Sequence, residues 1–209
     1  MDKFVKNIKY LNSGRVKVYI EGSNIPIISS SPIITKYNIH KDNKVQDSDF
    51  ELFLKDSNLF YAMDYCMRIL SRFSYSISQI KKKLKRKGFE GSVIKEVIGR
   101  LEELQILNDE EKILSEIKRM NNKNFSYLRI KNELYKKDYD KELISKYLIY
   151  DNAIEKRKAE KLFKKKLSIL KDKNKAVCYL LRTGFGSNII YDFTKSDENL
   201  EEFKFDECN

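Results

Sequence analysis

Two periods of apolar positions divide the chain. Between Arg15 and Ile20, the residues Val16, Val18 and Ile20 alternate with Arg15, Lys17 and Tyr19, the pattern of a half-buried strand, and Gly14 and Gly22 bracket it as turn residues. Ile25, Ile27 and Ile28 come next as a second strand pairing back on the first. Residues 1–45 are therefore expected to form a small β-containing, hairpin-like unit, which also holds both prolines, Pro26 and Pro32. From Gln46 the period becomes helical, with Asp47, Ser48 or Asp49 as candidate caps of a helix through Leu54, and no proline occurs between there and the C-terminus. Ser76 and Gln79 make a capping box ahead of Ile77, Ile80 and Leu84, and Gly88 suits the left-handed residue that ends such a helix. Val93, Ile94, Val97, Ile98, Leu101 and Leu104 stripe the next helix. Asn108 or Asp109 caps a third that carries Ile113, Leu114, Ile117 and Met120, giving a three-helix unit.

This unit recurs. At a shift of 50, Ile80 falls on Ile130, Leu84 on Leu134, Phe89 on Tyr139, Ile94 on Ile144 and Ile98 on Leu148; at a shift of 96, Leu84 falls on Leu180, Gly88 on Gly184, Phe89 on Phe185 and Ile94 on Ile190. The fold class expected is mainly α: a small N-terminal β-hairpin-like unit, then tandem three-helix, helix-turn-helix-like repeats stacked into an elongated molecule. The expected organisation is 1–45 for the β-containing unit, 46–111 for a linker helix and the first repeat, 112–170 for the second, 171–196 for a partial third, and 197–209 for an acidic tail expected to be disordered. A composition of 41% hydrophobic and 35% charged residues suits a thin fold better than one compact globule.

Charge changes the picture. The formal net charge is +11, but residues 61–191 carry 31 basic against 17 acidic side chains, residues 1–60 carry 9 against 7, and residues 192–209 carry 2 against 7. A central excess of this size favours an anionic partner, although lysines on solvated helix faces produce the same count. Cys66, Cys178 and Cys208 are widely spaced, odd in number and without CxxC pairing, which argues against a disulfide framework or zinc site and for a reducing, cytoplasmic compartment. No apolar run has the length of a signal peptide core or of a membrane span.

Tyr65 to Glu111, YCMRILSRFSYSISQIKKKLKRKGFEGSVIKEVIGRLEELQILNDEE, resembles the first repeat of the RecX family in the order and spacing of Arg72, Ser76, Leu84, Lys87-Gly88-Phe89 and Leu107-x-Asp109. The likeness runs on through the second copy into YLLRTGF, Tyr179 to Phe185. It departs at Asp138, where glycine is commoner, and at Asn124-Phe125, where Lys-Gly is commoner. The resemblance implies a protein that lies in the groove of a RecA filament on single-stranded DNA, limits its growth or activity in recombination and repair, and has no enzymatic step or cofactor. Its expected partners are RecA filaments and single-stranded DNA, direct or through the filament, with no membrane partner and a monomeric state. The alternative is a stand-alone basic DNA-binding helical module.

The candidate binding residues are Lys81, Lys82, Lys85, Arg86 and Lys87, within a run of six basic residues in seven positions, and Lys161, Lys164 and Lys165, within Ala153–Lys175, where ten basic residues face three acidic ones. Either set is equally readable as a solvated helix face. Leu162, Phe163, Leu167 and Leu170 add an apolar stripe to the second, compatible with a helix lying on an interface. Phe73, Tyr75, Phe125 and Tyr127, at entries to second helices, could stack on unpaired bases or simply seal helix junctions. Catalytic candidates are poor: His40 is the one histidine, in a polar stretch, no Ser or Cys has an activating partner, and there is no phosphate-binding glycine loop. The acids Asp109-Glu110-Glu111 and Asp197-Glu198 could in principle hold magnesium, but the first group opens a helix, where acids favour the dipole.

Overall fold

The computed structural model describes residues 2–194, so the expected acidic tail, 197–209, lies outside the described residues. The chain divides into two units, Met1–Leu107 and Asn108–Asn209.

In the first unit, β1 (Lys3–Tyr10), β2 (Arg15–Ile20), β3 (Ile27–Ser30) and β4 (Lys44–Val45) form an antiparallel sheet in the order β3-β2-β1-β4. The expected pairing of β2 with β3 is present, Val18 opposite Ile27 and Val16 opposite Ser29, but it is one half of a larger sheet. β1 escapes the alternation rule because its register shifts between Val5 and Asn7, leaving Val5 as the strand's one buried residue. Ile25 lies outside β3 and is 80% exposed. Gly14 and Gly22, both at φ 75, make the two turns. Val5, Val16, Val18 and Ile20 pack with Ile34 of a short helix, α1 (Ser31–Lys36), which Pro32 helps to start, and with Phe50 and Phe53 of α2 (Asp47–Leu70).

α2 serves two cores. Its first half closes the sheet, and Ser57 Oγ donates to Ser29 Oγ at 2.9 Å in that interface. Its second half, through Leu59, Ala62 and Cys66, packs with Ile80 and Leu84 of α3 (Ile77–Arg86) and with Val97, Ile98 and Leu101 of α4 (Gly91–Glu103). α2 is thus the first helix of the first repeat as well as a link to the sheet. Its N-cap is Gln46, without a side-chain bond, rather than one of the expected acids or Ser48, and Asp47 and Asp49 sit in the first turn.

The second unit repeats the arrangement twice. α5 (Asp109–Asn122), α6 (Tyr127–Lys136) and α7 (Lys141–Tyr147) share a core of Ile113, Ile117, Met120, Ile130, Leu134 and Ile144. The helix through Ile113 and Ile117, expected to complete the first three-helix unit, therefore belongs to the second. α8 (Asn152–Leu170), α9 (Lys173–Arg182) and α10 (Ser187–Thr194) share a core of Ala159, Val177, Leu180, Phe185 and Ile189. Leu104 and Leu114, read as core, are exposed.

The periods of 50 and 96 are structural. α3, α6 and α9 occupy equivalent ten-residue spans, capped by Ser76, Ser126 and Asp172, whose side chains accept from the Gln79, Arg129 and Lys175 amides. Each ends on a left-handed residue, Gly88 at φ 86, Asp138 at φ 56 and Gly184 at φ 90. A buried or half-buried aromatic comes next, Phe89, Tyr139 or Phe185, whose amide donates back to Leu84, Leu134 or Leu180. No helix among the described residues is long and apolar enough to cross a membrane.

Candidate nucleic-acid and filament interface

The basic face of α3 arises from its apolar one. Ile80 and Leu84 are fully buried against α2 and α4, so the residues between them must point outward. Lys81, Lys82, Lys85, Arg86 and Lys87 are all exposed. The capping box, Gln79 N to Ser76 Oγ at 3.2 Å and Ser76 N to Gln79 Oε1 at 3.2 Å, fixes where the helix starts, and Gly88 fixes where it stops. Two cations of this run lie on aromatic faces instead of projecting freely: Lys83 Nζ is 4.3 Å from the Tyr75 ring centre and Lys87 Nζ 5.6 Å from that of Tyr65. Among the described residues no acidic group lies within ion-pair distance of Lys81, Lys85, Arg86 or Lys87. A densely cationic face on a rigid helix attracts phosphates or acidic protein loops and releases their counterions.

α8 resolves differently from its lysine count. Lys161, Lys164 and Lys165 are exposed as expected, whereas Lys166 Nζ stands 4.0 Å over the Tyr179 ring. Lys158 does not belong to a solvated face at all: it is 8% exposed and pairs at 3.6 Å with Glu155, itself 4% exposed. Glu155 Oε1 also accepts from the Tyr127 amide at 2.8 Å, joining α8 to the start of α6. Burial pushes the Glu155 carboxyl up, against the pull of the Tyr127 amide and Lys158, and burial pushes the Lys158 amine down. Beside this pair is a cavity of about 150 Å³ lined in part by Tyr127, Tyr147, Ile154 and Asp151, with neither histidine nor cysteine in its wall.

The aromatic candidates separate as well. Tyr75 and Phe125 occupy equivalent positions; Tyr75 packs on the first helical core, and Phe125 is covered by the Arg129 guanidinium at 3.8 Å. Tyr127 packs edge-on against Tyr150 with centres 5.4 Å apart. Phe73 alone of the four is exposed, at 62%. His40 is exposed and bonded to Asn38. Cys66 is buried, which pushes its thiol up to about 11 and makes it unreactive. No cluster of three or more His, Cys, Asp or Glu residues able to hold a metal ion occurs among the described residues. Residues 65–89 carried a further signal: they contain eight basic side chains and no acidic one.

A family model described as the first three-helix domain of RecX matches residues 62–101, the segment spanning the end of α2, α3 and most of α4. A protein of Finegoldia magna described as regulatory protein RecX is 32% identical over 165 residues, covering 74% of this chain and 80% of the relative. One of Caldanaerobacter subterraneus with the same description is 26% identical over 180 residues, covering 85% and 91%. In fold, the chain is similar to a crystal structure of a regulatory protein RecX at a TM-score of 0.63 and 18% identity, covering 93% of this chain and 100% of that one. RecX from Lactobacillus salivarius matches at 0.58 and 22%, covering 68% and 98%.

Proposed function

The chain belongs to the RecX family, and from that premise we propose that it is a non-catalytic regulator that binds RecA recombinase filaments on single-stranded DNA and lowers their activity in recombination and repair. Its compartment on this reading is the cytoplasm, where such filaments form. The observation that carries the reading is the exposed basic face of α3, in a stretch whose sequence holds no acid from residue 65 to 89, within the segment that matches the family model. Lys81, Lys82, Lys85, Arg86 and Lys87 would make the first contact and Lys161, Lys164 and Lys165 a second. Repeated modules offer several weak contacts to a partner that is itself repetitive, and these combine through effective concentration.

The test is to titrate the protein into its own recombinase assembled on single-stranded DNA and follow DNA-dependent ATP hydrolysis. A dose-dependent fall at substoichiometric protein supports a filament regulator. Unchanged hydrolysis with DNA binding intact would instead favour a stand-alone DNA-binding module, the reading that the same basic face allows without a recombinase.

A further inference from the structure

We propose that Phe73 is a stacking platform for an unpaired nucleotide base at the mouth of the α3 basic face, so that the first repeat grips single-stranded nucleic acid directly. This deepens the reading of α3 as a nucleic-acid surface and rests on it.

Phe73 stands in the short connection between α2 and α3, 62% exposed, and is not part of the core beneath it. An isolated exposed ring would mean little. This one is mounted rigidly: its amide donates to Ile69 O at 3.0 Å, continuing the last turn of α2. Its ring leans on Tyr75, with centres 6.1 Å apart and planes at 56°. Tyr75 in turn packs on the helical core and carries the Lys83 ammonium on its face. Ser76 and its capping box begin one residue later, so the pair of rings is set at a fixed place relative to the lysines of α3.

The surroundings select the ligand. Residues 65–89 hold Arg68, Arg72 and the six basic residues of 81–87, and no acid. Arg72, next to Phe73, is exposed, and among the described residues no acidic group pairs with it. The Tyr65 and Tyr75 faces are each occupied by an ammonium, whereas among the described residues no cation covers Phe73. A polyanion carrying flat apolar groups satisfies both features: its phosphates meet Arg72 and the α3 lysines while one base lies on the open ring. A duplex supplies the phosphates but keeps its bases stacked inside, so the ring discriminates for single strands. The site is confined to the first repeat, since the equivalent positions are Lys123 and Ile169.

The chain contains no tryptophan, so Phe73→Trp introduces a single reporter. Titration of F73W with oligo(dT), without recombinase, should quench and shift its emission, and the quench should survive at salt that strips duplex from the protein. By anisotropy of labelled DNA, F73A should lose about tenfold affinity for oligo(dT) with less than about a twofold change for duplex, while F73Y retains wild-type binding. Circular dichroism of the three variants verifies the fold. Equal oligo(dT) affinity of F73A and wild type overturns the proposal, as does F73W emission unmoved at a saturation established by anisotropy, or a wild-type protein that prefers an acidic peptide or duplex to oligo(dT). Each of these results is independent of the ATP hydrolysis assay. A protein that lowers recombinase turnover while F73A binds oligo(dT) normally loses only the stacking site, and one that stacks oligo(dT) but leaves the recombinase unaffected loses only the filament reading.

Discussion

Gly88 and Gly184 hold nearly the same left-handed conformation, yet a methyl group would meet different neighbours at each. At Gly88 nothing lies within 4 Å of an added Cβ; at Gly184 it would come to 2.9 Å from Ser126 Oγ, the hydroxyl that donates to the neighbouring Thr183 carbonyl. Gly88→Ala should therefore cost about 1 kcal/mol, the left-handed penalty alone. Gly184→Ala should cost roughly a further 1–2 kcal/mol, because Ser126 must shift and its bond to Thr183 with it. Urea denaturation of the two variants checks this, and equal losses would mean that the Ser126 contact contributes nothing. Both glycines were recognisable from their places after Leu84 and Leu180. Their difference was not, because it arises where the turn of the third repeat meets the cap of the second, 57 residues apart in sequence. Nor could composition tell that Phe73 is open while Phe125 lies under Arg129: the two rings have similar neighbours in sequence and opposite environments in space.

α8 shows why helices needed the structure more than their residues did. Its lysines read as one solvated face, but Glu155 and Lys158 at i,i+3 turn inward and tie the helix to the Tyr127 amide. Glu155→Ala strands a buried ammonium and an amide together and should cost about 3 kcal/mol at neutral pH, measured by urea denaturation. The pH dependence has a definite sign. With its value raised, Glu155 binds a proton more tightly in the folded chain, so the proton-linked part of its contribution to stability is complete below the ordinary glutamate value and is lost as pH rises through the raised one. Glu155→Gln, neutral throughout, lacks that loss, so its stability relative to wild type should improve as pH rises above the ordinary glutamate value; a difference that is flat or of opposite slope would refute the burial argument. Glu116 behaves in reverse. Burial pushes its carboxyl up, but hydrogen bonds from Lys137 and Arg119 outweigh it, and its contribution is lost on acidification through the lowered value. The second helix of the first repeat was legible because its capping box, its apolar pair Ile80 and Leu84 and its stop at Gly88 all agree, and the shifts of 50 and 96 carried Leu84 and Phe89 onto their counterparts, whereas the caps Ser126 and Asp172 emerged only in the structure. β1 was not, since its bulge breaks the alternation, and α5 was misplaced because its stripe of Ile113, Ile117 and Met120 says only that it packs, not against which neighbours.

Across the whole chain the charge is legible to the unit and its use is not. A +11 total is consistent with long-range attraction to any polyanion, and long-range attraction responds to net charge wherever the lysines sit. Direct phosphate contact responds to position. The two candidate groups separate these effects, since reversing Lys81, Lys82, Lys85 and Arg86 to Glu takes the formal charge from +11 to +3, and reversing Lys161, Lys164 and Lys165 takes it to +5. If attraction alone matters, the two variants should bind single-stranded DNA almost alike. If α3 is the contact face, its variant should lose more than about tenfold in affinity at moderate salt, and the slope of log affinity against log salt should flatten by roughly one for each phosphate contact removed. The α8 variant should then keep its slope and lose only a few-fold. Salt-titrated anisotropy on both proteins, with helicity verified by circular dichroism, makes the comparison, and a flattened slope in the α8 variant alone would move the interface from the first repeat to the third.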